Sequence, residues 1–276
     1  GDGSGLVFNA WRSTSGVYGD PLWLLNYPGG EVRQITNDLS GYQGSSVAAD
    51  SSALVTRQLT RVSRLWVMFV NGESVDAEHA TQIQSGFGDN FSEYFGLDWT
   101  PDGRLVYGSH ASANLDLWRS TTDGKQQQLT RDNHLEGMPM VAADGRYIVF
   151  VSDRGGTRTL WRTDIDGNNP KQLTHGRGDA WPSLTPDGKW VVYSALNQTR
   201  PVIWKVSIEG GEPIPLTDKT TFHPRVSSDG KWIACFWQDD KDFKIKLAVL
   251  PIAGGELSVI EPAAFPDYGV IGWMPD

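Results

Sequence analysis

Short apolar runs, each opening on a tight turn, dominate the second half of the chain. RYIVFVS (146–152), KWVVYSA (189–195) and KWIACFW (231–237) all follow an Asp-Gly pair. Asp-Gly tolerates the positive φ of a two-residue hairpin loop, so each run predicts the second strand of a β-hairpin. The apolar period is two, with no 3.6-residue stripe, which excludes a helical solenoid.

The hairpins recur. The turn aspartates Asp102, Asp144, Asp187 and Asp229 lie 42 or 43 residues apart, and Asp50 in VAADSS opens a degenerate version. A second marker has the same spacing: Trp118, Trp161 and Trp204 are 43 apart, as are Trp23 and Trp66, and the next step lands on Leu247. The step from 66 to 118 is longer, which places an insertion in GESVDAEHATQIQSGFGDNFSEY (72–94). Leu-Thr-like ends at Thr36, Thr130, Thr174 and Thr217 close the units. Each unit therefore reads as four short strands: one into the Asp-Gly turn, one out of it, one carrying Trp, one ending in Leu-Thr. A repeated four-stranded unit of this length is the signature of a β-propeller.

The chain ends on VIGWMPD, a first strand with half a turn, and begins with GDGSGLVFNAW, a second strand lacking a first. Joined, they complete one hairpin and bring the count to six. The expectation is a single all-β domain over 1–276, a six-bladed propeller of four-stranded antiparallel blades. Its N- and C-terminal strands share one blade (262–276 with 1–36), followed by blades at about 37–84, 85–130, 131–174, 175–217 and 218–261.

Composition narrows the function. Net charge is −9 with no Lys/Arg cluster, which argues against a nucleic-acid partner. No apolar run is long enough to cross a bilayer, and the first residues do not read as a signal peptide. The one cysteine, Cys235, sits in an apolar strand and reads as a small buried hydrophobe. No G-x-S-x-G elbow and no Gly-rich phosphate loop occurs. DIDGNN (164–169) imitates a Ca²⁺ loop, but its twelfth position is His175, so it reads as a hairpin turn. No catalytic residues, cofactor or metal are expected.

TPDGKWVVYSA, SSDGKWIACFW, ADGRYIVFVSDRGG and IWKVSIEGGEPIPLT resemble the repeats of TolB-like six-bladed propellers. YPGGEVRQITNDLSGY and KLAVLPIAGGE are similar to the propellers appended to bacterial membrane-anchored serine/threonine kinases and winged-helix regulators. The resemblance implies a non-catalytic binding module, the extracytoplasmic sensor of a larger signalling protein. Such a module would be periplasmic or extracytoplasmic and a monomer, with no membrane contact of its own. Two alternatives are the gating propeller of a prolyl-oligopeptidase-type serine peptidase and a TolB-like scaffold for protein assembly.

Register places the candidate site. Counting eight back from each turn aspartate gives Tyr42, Tyr94, Glu136, Asp179, Thr221 and Tyr268, at the start of the innermost strands. Phe95, Trp181, Phe222 and His223 adjoin them, with Asp132, His134 and Arg177 in the same loops. The expected ligand-binding residues at the channel mouth are Tyr42, Tyr94, Phe95, Glu136, Asp179, Trp181, Phe222, His223 and Tyr268. Aromatic faces beside two carboxylates suit a cationic peptide side chain or a small polar ligand such as a sugar.

Overall fold

A computed structural model of the chain describes residues 5–10, 21–36, 41–48, 50, 52–59, 65–71, 74–83, 96–109, 111–112, 114–197, 199–260 and 271–273. Among these residues there are strands and turns and no helix. The chain divides into two compact units, Gly1–Ser63 and Arg64–Asp276. The expected shared blade falls largely outside the described residues, since 1–4, 261–270 and 274–276 are not among them.

In the first unit β1 (Gly5–Asn9), β2 (Leu22–Asn26) and β3 (Val32–Gln34) form a three-stranded antiparallel sheet. β4 (Gly41–Val47) pairs with β5 (Leu54–Leu59). Trp23 is buried and stands opposite Phe8 across the β1–β2 ladder.

The second unit opens with a hairpin of β6 (Trp66–Asn71) and β7 (Ser74–Gln82), so the expected insertion begins as strand. Four antiparallel sheets of four strands follow. The first comprises β8 (Leu97–Trp99), β9 (Leu105–Ser109), β10 (Asp116–Ser120) and β11 (Gln126–Gln128). The second comprises β12 (Glu136–Val141), β13 (Tyr147–Ser152), β14 (Thr159–Asp164) and β15 (Lys171–Gln172). The third comprises β16 (Ala180–Leu184), β17 (Trp190–Asn197), β18 (Arg200–Ser207) and β19 (Ile214–Pro215). The fourth comprises β20 (Thr221–Val226), β21 (Trp232–Gln238), β22 (Ile245–Pro251) and β23 (Ser258–Ile260).

The apolar alternation of each second strand serves both faces of its sheet. Ile148 and Phe150 pack with Val106, Leu117 and Leu129 of the sheet before. Val149 and Val151 pack with Val191, Tyr193 and Val206 of the sheet after. Val192 and Ile203 in turn meet Ile233, Cys235, Ala248 and Leu250. The core thus lies between neighbouring sheets, and each fully buried Val, Ile or Leu contributes about 1.5–3 kcal/mol. Cys235 is buried here, which pushes its thiol up to about 12.

The repeat markers have physical roles. Trp118, Trp161, Trp204 and Leu247 stand opposite Tyr107, Phe150, Tyr193 and Phe236, all four of which are buried. The Leu-Thr threonine accepts the N–H of the residue before the tryptophan: Leu22 to Thr36 (2.9 Å), Leu117 to Thr130 (2.9 Å) and Leu160 to Thr174 (2.8 Å). The glycine of the turn between strands three and four presses on the Leu-Thr leucine of the previous sheet. Gly167 has a φ of 89°, and a Cβ there would fall inside contact distance of the Leu129 carbonyl oxygen and 2.9 Å from its carbon. Only glycine fits. The residue after each of Trp118, Trp161 and Trp204 is a cation that reaches the next sheet's turn. Arg119 donates to the Ile165 carbonyl (3.3 Å), Arg162 to Glu209 (2.7 Å) and Lys205 to the Ile252 carbonyl (3.1 Å).

Candidate functional site

The first strands β8, β12, β16 and β20 are stitched directly to one another. The Val141 amide donates to Asp98 Oδ2 (2.7 Å), the Val226 amide to Ser183 Oγ (3.0 Å) and the Trp181 amide to Met138 Sδ (3.3 Å). β12, β16 and β20 each carry a register shift, between Gly137/Met140, Ala180/Ser183 and Phe222/Arg225. At each bulge one residue six before the turn aspartate takes positive φ: Met138 (54°), Trp181 (52°) and His223 (55°). Bulges commonly re-aim side chains beside functional sites. At the equivalent position of β8 stands Gly96, φ 69°, where a Cβ would lie 2.7 Å from Met138 Cα.

Glycine adopts this conformation without penalty, while a side chain costs roughly 1–2 kcal/mol. Three successive sheets of this unit nevertheless carry large side chains there. His223 stacks on Trp181 with ring centroids 3.9 Å apart, and meets Phe222 and Phe236 edge-on at 5.7 and 5.9 Å. Burial, with Arg225 adding to it, pulls the His223 imidazole down to about 4, so it is neutral at pH 7. Met138, Pro139, Trp181, Pro182 and Arg225, with Leu97, line a pocket of about 40 Å³.

Two charges stand near this pocket. Asp98 accepts from the amides of Val141 and Trp99, and burial raises its carboxyl above the usual range. Arg225 Nη1 donates to the carbonyls of Pro224 (3.1 Å) and Pro182 (3.5 Å), and burial lowers its guanidinium from its ordinary value. Among the described residues no carboxylate lies within 4 Å of that guanidinium. The Trp273 indole N–H donates to the Arg225 carbonyl (2.8 Å) and fixes the strand behind it.

Of the residues that register places at the mouth, Trp181 and His223 are in contact here and Phe222 packs behind them, 7% exposed. Glu136 and Asp179 are 0% and 1% exposed. The Glu136 carboxylate is ion-paired with Arg154, which also binds Asp132 (2.9 Å). Asp179 Oδ2 accepts from the Thr174 hydroxyl, and burial raises its carboxyl to about 6. Both acids are buried where the Arg154 turn and the preceding Leu-Thr end meet them, and Asp179 Oδ1 has no hydrogen-bond partner among the described residues. Among the described residues, neither Glu136 nor Asp179 lines this pocket. Tyr42 lies on β4 in the first unit. Tyr94, Phe95 and Tyr268 lie outside the described residues. Met138, Asp98 and Arg225 are the residues that register reasoning missed. They were within its reach, six and four before the same turn aspartates.

The profile of the TolB beta propeller domain matches residues 62–221. The chain belongs to that family. Among solved structures this TolB-type propeller is similar to a TolB candidate from Agrobacterium tumefaciens (16% identity, 85% of this chain and 86% of that one, TM-score 0.59). TolB from Acinetobacter baumannii is similar at 18% identity over 94% of this chain and 66% of that one, with TM-score 0.57. An oligogalacturonate lyase from Vibrio parahaemolyticus shares 19% identity over 94% and 74%, with TM-score 0.51. No curated protein matches the sequence. At these identities the solved structures bear on the fold alone.

Proposed function

We propose that this TolB-type propeller is a non-catalytic binding module that takes a segment of a partner protein in the pocket lined by Met138, Trp181 and Arg225, with His223 against the Trp181 ring. It would serve as the extracytoplasmic sensor of a bacterial signalling protein. One observation carries the reading. Three sheets in succession hold Met138, Trp181 and His223 in a strained left-handed conformation, where the repeat places glycine at Gly44 and Gly96. Strain of this kind persists where a side chain is wanted for something other than stability. A rigid frame of paired strands holds these groups with little ordering cost on binding.

The test is an array of immobilised random 12-residue peptides probed with labelled wild type and with the Trp181→Gly/His223→Gly double variant. Glycine removes the side chains and relieves the backbone. The double variant is expected to keep a cooperative melt and to lose the peptides that wild type retains. The same peptides held by both proteins, or none held by wild type, refutes the reading.

A further inference from the structure

We propose that the pocket beside Arg225 is a carboxylate site, taking the acidic side chain or C-terminal carboxylate of a peptide whose neighbouring residue is apolar. The inference rests on the binding reading above and assigns the chemistry of its ligand. Arg225 lines the pocket, and its Nη1 is anchored to the carbonyls of Pro224 and Pro182. Among the described residues its Nε and Nη2 have no protein acceptor. Asp98, the acid whose charge reaches it, accepts from two backbone amides and does not close on it as an ion pair. A half-buried guanidinium with open donors matches the planar, two-oxygen geometry of a carboxylate.

The walls choose the rest of the ligand. Met138, Leu97 and the face of Trp181 are apolar, and Pro139 and Pro182 have no N–H to offer. A sugar acid would leave its hydroxyls without partners against such walls, at a cost for each group. The pocket is small, about 40 Å³, so a single terminal group enters. The flanking apolar side chain then lies across Trp181 and Met138 at the rim.

The experiment is isothermal titration of the whole chain with N-acetyl-L-phenylalanine, with its uncharged amide, and with D-galacturonate, at low and high NaCl. The acid is expected to bind at least about tenfold more tightly than the amide, a preference that weakens as salt screens the charge. Arg225→Gln is expected to abolish the preference, and the salt dependence on wild type tests the same point free of any folding question. Acid and amide of equal affinity, or an acid preference that survives Arg225→Gln in a folded variant, overturns the carboxylate assignment. Galacturonate bound more tightly than the acid overturns the peptide choice. If peptides are held on the array while none of the three small probes binds, the carboxylate site fails and the binding reading stands. If nothing binds in either format, both fall.

Discussion

Gly156 and Gly167 offer a controlled comparison of two effects that usually arrive together. Both belong to the same sheet, both close a four-residue turn, and both have φ of 89°. Gly156 has open space where a Cβ would go, whereas Gly167 would drive a Cβ onto the Leu129 carbonyl oxygen, 2.9 Å from its carbon and 3.1 Å from its Cβ. Alanine at 156 carries the backbone penalty alone, roughly 1–2 kcal/mol less a few tenths for the stiffer unfolded chain. Alanine at 167 adds the overpacking of a backbone contact, about 1–3 kcal/mol, and the upper part of that range applies because a carbonyl cannot swing aside as a side-chain tip can. Gly167→Ala should therefore lose about 2–3 kcal/mol more than Gly156→Ala, or about 0.7–1 M in urea midpoint at a slope near 3 kcal/mol/M. Urea titrations followed by tryptophan fluorescence measure the difference. Losses within about 0.5 kcal/mol of each other would refute the claim that this turn is packed on the preceding sheet.

The Asp179 carboxyl, raised by burial from 3.8 to about 6, costs on the order of 3 kcal/mol when charged. Its contribution to stability is fully present below pH 3.8 and is lost as pH rises through 6. Asp179→Asn, which keeps an acceptor for Thr174, should melt higher than wild type at pH 8 and converge with it near pH 4. Thermal melts across that range check this, and a constant offset would contradict it. Arg162 lies over the Tyr147 ring at 4.1 Å and pairs with Glu209, while Lys125 and Asp123 form a well-exposed pair at 3.6 Å. In denaturant titrations Arg162→Ala should cost about 1–2 kcal/mol and Lys125→Ala less than about 0.5. Trp161, packed against the core with its N–H on Thr159, should lose about 2–4 kcal/mol on change to Ala. Trp66, 49% exposed, should lose clearly less in the same assay.

The sheets were legible because their markers touch one another. Leu160 and Thr174 are both repeated in the sequence since one donates a hydrogen bond to the other, and Gly167 recurs since Leu129 recurs. The site was legible only in part, for a reason of register. Alternation assigns one face to residues eight, six and four before each turn aspartate. The bulge after Gly137 inserts an extra residue into that count, and so do those after Ala180 and Phe222. A bulge leaves no trace in apolar spacing, so the count carried Glu136 and Asp179 to the mouth. Their partners come from elsewhere: Arg154 from the next hairpin, Thr174 from the sheet before. Trp181 and His223 were found because aromatic residues beside the strand start were gathered with it. Arg225 reads from the sequence as an ordinary strand cation, and only the fold shows that Asp98 does not pair with it.

This arrangement separates what holds the fold from what lines the site. The buried clusters are built mainly from second and third strands, and the recurring glycine, threonine and cation contacts join third and fourth strands to their neighbours. First strands supply the pocket. A residue such as His223 costs about 1 kcal/mol of backbone strain, small against the several buried aliphatic side chains that each sheet contributes. Ligand preference can therefore change at positions six and four before the turn aspartate with little effect on whether the sheets assemble. By the same logic, polarity at this pocket follows local composition rather than the chain's net charge of −9, since an arginine, Arg225, lines it in an acidic protein.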